Sequence, residues 1–332
     1  MRQSRTSIHR RWYEFRVRLR SSRPRSPMIH VDRILFPTDG SECAERARRH
    51  ALHLADHFDA ILHVIHVEKR DVKRTDGVEI SEADLLADLH DRREEAPSPL
   101  ADSRVRERIV AYSSAARGIL TYGVEHDVDL VVMGTHGKRG VRRLLLGSVA
   151  EEVVRNASCP VVTAGRGAVA PEVMGDGTML VPVDFSEHRP RLLAHAREIA
   201  PVYGMDVTIL HVVEGRKVPD AYGGYASLPD PGTLAERAEK ALAEDVESMR
   251  AAGIDVSIAV RSGPPADQVL TVAEETGAAF ITIATHGRTG LERMLTGSVA
   301  EAVIRQAPCS VCTVKSFGRS LVDENKSREV LS

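Results

Sequence analysis

The sequence predicts an α/β protein made of two tandem copies of one doubly wound unit, on three observations. The chain repeats itself, apolar strands alternate with amphipathic helices, and the composition is that of a folded chain. The 332 residues suffice for two ordinary domains. Hydrophobic residues at 42% and charged residues at 28% exclude a disordered polymer. No apolar run approaches the roughly eighteen residues that a membrane-spanning helix needs.

The repeat is visible at both ends of the unit. Leu35–Ser41 matches Leu180–Ser186 at an offset of 145, which puts Asp39 over Asp184 and His66-Val67 over His211-Val212. Further on the offset is 150: Gly137 falls on Gly287, Gly147 on Gly297 and Cys159 on Cys309. Residues 134–163 and 284–313 are identical at 17 of 30 positions, enough to read a duplication.

In the first copy, Arg33–Pro37 reads as a short apolar strand. Ser41–His57 is a helix with Ala44, Ala47, Ala51, Leu54 and Ala55 along one stripe. Ser41 caps it, and Glu42 and Glu45 suit its positive N-terminus. Ile61–Val67 is the second strand. Ser81–Glu95 is a helix ended by Pro97 and Pro99. Val105–Val110 is a charged strand suited to a sheet edge. Ala115–His126 is a helix, Val128–Met133 a buried parallel strand, Ser148–Asn156 a helix and Pro160–Thr163 the last strand. Strands separated by helices of this length give a parallel sheet covered on both faces. The second copy repeats the order from Thr178 to Val314. The predicted organisation is a leader at 1–27, a first domain at 28–165, a linker at 166–177, a second domain at 178–316 and a polar tail at 317–332.

Charge and composition narrow the function. The leader holds nine Arg and one acid, Glu14, for a charge of +8; the net −2 of the whole chain leaves −10 for residues 28–332. An acidic body repels a phosphate backbone, and 4% aromatics provide few stacking surfaces, so nucleic acid is not the expected partner. The Arg-rich leader reads as an extension outside the fold, with Met28 standing before the first strand. Four cysteines are too few for a disulfide scaffold in so long a chain, which suits a reducing compartment, and a cytoplasmic, non-membrane protein is expected.

The strongest site signal follows the fourth strand: Gly134-Thr135-His136-Gly137, nine residues, then Gly147-Ser148. Ligands of open α/β sheets bind beyond the C-terminal strand ends, where this segment begins. Gly147-Ser148 opens a helix whose free N–H groups attract an anion. Lys138, Arg139, Arg142 and Arg143 add positive charge. The spacing recurs at Gly287 and Gly297-Ser298. Together these features describe a phosphate cradle.

The segment G-x-x-G-x9-G-S, preceded by Asp129–Met133 and combined with Pro37-Thr38-Asp39-Gly40-Ser41, resembles the ATP-binding branch of the universal stress protein family. The resemblance covers residues 31–165 and 178–315. It implies two Rossmann-like domains of the adenine nucleotide alpha hydrolase-like type, each a five-stranded parallel sheet of order 3-2-1-4-5. It also implies that the copies pair across their last strands as an internal pseudo-dimer, with a further homodimer possible. The implied cofactor is ATP, with Mg²⁺ as a companion. Its adenine and ribose contacts fall on Pro37, Thr38, Asp39 and Val67; its phosphate contacts fall on Gly134, His136, Gly137, Gly147, Ser148 and Val149, with Lys138 and Arg139 in reach. The second-copy counterparts are Pro182, Val183, Asp184, Val212, Ala284, Gly287, Arg288, Gly297, Ser298 and Val299. Ala284 replaces the first glycine; its methyl would either narrow the approach to phosphate or be tolerated at negative φ, and the second copy is expected to be the weaker or altered site.

Blander readings stand beside these. Asp39 could be a helix cap, although Ser41 can do that. His136 and His286 lack a sequence-paired nucleophile or carboxylate, which favours a structural role. His63 and His66, three apart on a strand, point to opposite faces and cannot share a metal. Cys159 and Cys309 read as packing residues, and 215–232 as a loop over the sheet edge. The expected function is a non-catalytic, nucleotide-dependent regulator of a stress response. The alternative is a slow ATPase or self-phosphorylating enzyme, against which stands the lack of G-x-x-x-x-G-K-[ST]. The absence of G-x-G-x-x-G after the first strand disfavours a dinucleotide oxidoreductase.

Overall fold

The computed structural model describes residues 29–69, 100, 104–137, 146–165, 167–175, 177–214, 231–285, 297–316 and 318–321. The leader, the helix expected at Ser81–Glu95 and the loop at 215–230 lie outside the described residues.

The first copy runs β1 (Arg33–Pro37), α1 (Glu42–Phe58), β2 (Ile61–Lys69), β3 (Val105–Tyr112), α2 (Ala115–Glu125), β4 (Leu130–Gly134), α3 (Ser148–Asn156) and β5 (Val161–Ala164). The second runs β6 (Thr178–Val183), α4 (Arg189–Tyr203), β7 (Asp206–Val213), α5 (Pro231–Ala251), β8 (Val256–Ser262), α6 (Pro265–Glu275), β9 (Phe280–Ala284), α7 (Ser298–Gln306) and β10 (Ser310–Val314). All ten strands form one sheet, in the order β3-β2-β1-β4-β5-β10-β9-β6-β7-β8. Each half has the expected 3-2-1-4-5 order. Pairing is parallel within each half and antiparallel where β5 meets β10. There the Thr163 hydroxyl donates to the Val311 carbonyl at 3.2 Å, and its repeat counterpart Thr313 donates to the Val161 carbonyl at 3.1 Å. The junction thus has local two-fold symmetry.

Alternation along the strands divides the core. Ile34 and Phe36 face a cluster with Leu54 of α1, Leu192 and Ile199 of α4, and Leu242 and Met249 of α5. Leu35 faces the other cluster, with Ile119 of α2, Val153 of α3, Val272 of α6 and Val303 of α7. Both clusters draw on both copies, so apolar burial is continuous across the junction. α1 starts as its sequence dictates: Ser41 is extended, its hydroxyl accepts from the Ala44 N–H at 3.2 Å, and Glu42 and Glu45 lie in the first turn.

The chain leaving each last strand continues to pack. In the linker, Pro171–Val173 makes a 3₁₀ turn, and Met174 is fully buried beneath it. After β10, Lys315 is buried, and its ammonium caps the C-terminus of α3 in the other copy through the Val154 and Arg155 carbonyls. Desolvation lowers the Lys315 pKa to about 8. The segment read as a polar tail begins as a strap. Arg319 pairs with Asp127 and Asp129, and buried Leu321 accepts from the His30 N–H at 3.0 Å.

Two equivalent histidines hold this arrangement. His50 of α1 shares hydrogen bonds with the Tyr203 hydroxyl (3.1 Å) and the Ser310 hydroxyl (3.0 Å) of the second copy. His195 of α4 accepts from the Leu321 N–H at 3.2 Å, and its Nδ1 donates to the Arg191 carbonyl at 2.7 Å. Burial lowers both pKa values to about 4, against 6.5 for a free imidazole. Between these values the unfolded chain binds protons that the native state refuses. Stability is therefore full above pH 6.5 and is lost as pH falls toward 4. Each residue is expected to withdraw up to about 3 kcal/mol across that window. Urea unfolding at pH 7.5 and pH 5 checks this, and His50→Gln should flatten the slope; an unchanged slope would assign the acid sensitivity elsewhere.

Candidate functional site

The site is built where β1 and β4 end side by side. At the end of β1 the chain turns sharply at Gly40, which has φ of +66°. The Gly40 N–H donates to Thr38 Oγ1 at 3.1 Å, and the Ser41 N–H donates to Asp39 Oδ1 at 3.0 Å. The cap of α1 is Ser41, and Asp39 turns its second carboxylate oxygen toward the loop after β4. A Cβ placed on Gly137 would stand 2.5 Å from Asp39 Oδ2. The Ser41 hydroxyl donates to the His136 carbonyl at 3.1 Å, tying the two loops together. Gly137 is exposed and Asp39 half-buried, so the juxtaposition opens to solvent.

From the other side, the Gly147 N–H donates to the Thr135 carbonyl at 2.8 Å, bringing the start of α3 to the end of β4. No side chain caps α3, whereas α1 and α2 are capped by Ser41 and Ser114. Its first-turn N–H groups, with Ser148 exposed and Val149 half-buried, face the crevice as anion donors. Gly147 has φ of −63°, but a Cβ there would come within 2.9 Å of the Thr135 carbonyl oxygen. The glycine is required by contact and not by conformation. His136 Nδ1 lies 2.8 Å from Thr135 Oγ1, and its buried Nε2 has no hydrogen-bond partner among the described residues.

Pro37 is buried under the mouth, and half-buried Val67 ends its side chain against Gly118 of α2. Gly134 belongs to packing. A Cβ on it would meet the Cys43 carbonyl carbon at 2.7 Å and the Ala44 nitrogen at 2.8 Å, both backbone of the first turn of α1. The counterpart Ala284 packs against the core cluster that includes Leu192 and Ile199 of α4. Copy two tolerates the methyl because α4 begins at Arg189, the counterpart of Ala44, two residues later than α1 begins. Gly134→Ala is accordingly expected to destabilise the protein by about 1–3 kcal/mol through overpacking, measured by urea unfolding. Ala284→Gly should leave no comparable trace of strain relief.

The second copy builds the same turn with different parts. Asp184 Oδ1 accepts from the Ser186 N–H at 3.1 Å. Phe185 occupies the left-handed position of Gly40, with φ of +55°, and its ring packs on His211 at 4.5 Å with the Arg189 guanidinium 5.4 Å above it. Val183 replaces Thr38 and has no hydroxyl for the turn. Pro182, Val212 and Asp184 are half-buried around it. The Gly297 N–H donates to the Thr285 carbonyl at 2.6 Å, and α7 opens at Ser298-Val299 without a side-chain cap. Lys138, Arg139, Arg142, Arg143, His286, Gly287 and Arg288 lie outside the described residues.

Sequence reasoning missed the role of His66 and His211. Each donates from Nδ1 to the carbonyl before the turn's Asp, Thr38 at 2.9 Å and Val183 at 3.0 Å, so each braces the loop. Their shared offset of 145 was the available signal. His63 and His66 do point apart, His63 to Tyr122 of α2 and His66 to the β1 turn. All four cysteines are free and buried, and burial pushes the thiols of Cys159 and Cys309 up to about 12. No group of three or more metal-ligating side chains occurs among the described residues.

The fold and these strand-end loops define a tandem, doubly wound α/β protein whose halves each bring a helix without a side-chain cap to the end of the fourth strand. The model of the Universal stress protein family matches residues 30–164 and 177–315, and the chain belongs to that family. It is 34% identical over 141 residues to a universal stress protein of Methanocaldococcus jannaschii, covering 40% of this chain and 82% of that one. It is 30% identical over 195 residues to one of Mycobacterium tuberculosis, covering 58% of this chain and spanning 63% of the mycobacterial protein. Among solved structures, a universal stress protein of Archaeoglobus fulgidus superposes with a TM-score of 0.57 at 21% identity, covering 87% of this chain and 97% of that one. A Pseudomonas aeruginosa protein described as functionally unknown gives 0.61 at 21% identity, covering 87% and 94%. No helix among the described residues is long and apolar enough to cross a membrane.

Proposed function

We propose that the chain binds an adenine nucleotide, ATP, at the strand ends of its first copy, and acts as a nucleotide-dependent regulator without turnover. The observation that carries this reading is the approach of Asp39 to Gly137, two segments 98 residues apart, beside the uncapped start of α3. A carboxylate suits ribose hydroxyls or an adenine amino group, and free helix N–H groups suit phosphate. His136, with Nδ1 engaged by Thr135, keeps Nε2 for a phosphate oxygen. Gly137, Gly147, Ser148 and Val149 would form the cradle, and Lys138 and Arg139 would add charge with Mg²⁺ as counter-ion. The second copy, around Asp184, Gly297, Ser298 and Val299, is the weaker site. Occupancy would shift the population of a surface that a protein partner reads.

No P-loop lysine is present to hold a γ-phosphate in line for transfer, which supports binding without hydrolysis. A single-turnover assay with γ-labelled ATP tests this. Retention of intact ATP by the protein is expected; release of labelled phosphate, or label on the protein, would make it an enzyme.

A further inference from the structure

The two copies differ in what holds the far end of the helix that opens at each crevice. Continued two residues past its recorded pairs, the antiparallel ladder between β5 and β10 sets Lys315 opposite Cys159 and Gly165 opposite Cys309. The offset of 150 makes Lys315 and Gly165 counterparts. From the second copy, Lys315 therefore reaches the C-terminal end of α3 in the first. There the Ala157 N–H donates to the Val153 carbonyl at 2.8 Å. The next two carbonyls, Val154 and Arg155, accept from the Lys315 ammonium, Arg155 at 3.0 Å. α7 ends alike, with the Ala307 N–H on the Val303 carbonyl at 2.7 Å, but Gly165 has no side chain to offer Ile304 and Arg305.

The ammonium is held firmly in this place. Lys315 is buried, and the chain beyond it turns at Gly318, with φ of +77°, against the Ser158 carbonyl. The Arg319 N–H donates to that carbonyl at 2.7 Å, and Arg191 of α4 donates to the Gly318 carbonyl at 3.1 Å. The titratable groups around this end are Glu151 and Arg155 of α3, which pair at 2.8 Å, and Asp127 and Asp129, which pair with Arg319. The Cys159 thiol, pushed up to about 12, stays protonated. α3 itself is a short strut. Its nine residues span about 13 Å, its face Ala150, Val153 and Val154 is buried, and its other end is tied to the end of β4 by Gly147.

Resting on the nucleotide reading above, we propose that Lys315 of the second copy regulates phosphate binding in the first, as a positioning residue that anchors α3 and adds a buried positive charge behind it. A charge about 13 Å away through protein attracts a polyanion appreciably, because buried charges are little screened by salt. The second copy thereby serves the first, and phosphate affinity depends on the two staying docked. Desolvation lowers the Lys315 pKa to about 8, so the charge is lost as pH rises through that value and affinity falls with it. By linkage, bound ATP raises the Lys315 pKa. Adenosine carries no phosphate and is indifferent to the charge.

The test is calorimetric titration of the full chain carrying Ser298→Asp, which blocks the second copy, with and without Lys315→Met. ATP and adenosine are compared at pH 7 and pH 9, where a terminal phosphate with its second pKa of about 6 stays ionised. At pH 7, Lys315→Met should weaken ATP by about three- to tenfold and leave adenosine unchanged. The parent should lose ATP affinity by a similar factor between pH 7 and pH 9, and Lys315→Met should not. Should the variant fail to fold, the parent's pH dependence for ATP against adenosine decides alone. Equal ATP affinity with and without the ammonium, equal losses for ATP and adenosine, or a parent indifferent to pH would overturn the proposal. A parent that binds no ATP at all would instead overturn the nucleotide reading, and this proposal with it.

Discussion

Asp39→Ala is expected to weaken ATP binding by about 10- to 100-fold, the loss of one or two hydrogen bonds to a carboxylate. Asp184→Ala should have a much smaller effect. The ranking follows from how well each turn is built before ligand arrives. In the first copy Thr38 and Ser41 anchor the turn, Gly40 takes its left-handed conformation at no cost, and Ser41 links it to His136. In the second, Phe185 is forced to positive φ, Val183 offers no hydroxyl, and α4 has no side-chain cap. A looser loop must be ordered by the ligand and binds it less tightly. Calorimetric titration of both variants decides the matter, and the opposite order would sink the ranking.

Gly147→Glu is expected to abolish nucleotide binding in the first copy. Its carboxylate would sit at the start of α3, where the helix favours an anion, and would take the place of phosphate. The substitution also has a structural cost. With φ of −63° the backbone accepts any residue, but the 2.9 Å approach of a Cβ to the Thr135 carbonyl demands a shift worth about 1–3 kcal/mol. Ser148→Asp separates the two effects, because Ser148 is exposed and needs no such shift. It should lose most of the triphosphate affinity at full stability by circular dichroism. Wild-type affinity in Ser148→Asp would remove the phosphate from α3. At Gly297 the corresponding approach is a looser 3.2 Å, so Gly297→Glu should be better tolerated and act on the second copy.

Much of the molecule was legible because local chemistry and global fold agree. Ser148–Asn156 opens on Gly-Ser and closes before Ala157, and the helix has those limits. Arg33–Pro37 is a strand as read. The charged run at 105–112 is an edge strand. What stayed hidden depends on contacts between distant segments. Nothing in Gly134 says that its missing Cβ faces the backbone of Cys43 and Ala44, so that packing requirement is not legible locally. The linker and the tail have weak periodicity, yet Met174 and Leu321 are buried in the shared core. The roles of His50 and His195 emerge only when β5 and β10 bring the copies together.

The central claim is that an adenine nucleotide occupies the crevice between Asp39, Gly137 and the start of α3. The most direct measurement is the identity and amount of small molecule released when the purified full chain is denatured, for wild type and for Ser148→Asp with Ser298→Asp. The account predicts an adenine nucleotide from the wild type, predominantly ATP, and little or none from the double variant. Equal recovery from the double variant, or a released ligand without an adenine base, would contradict it.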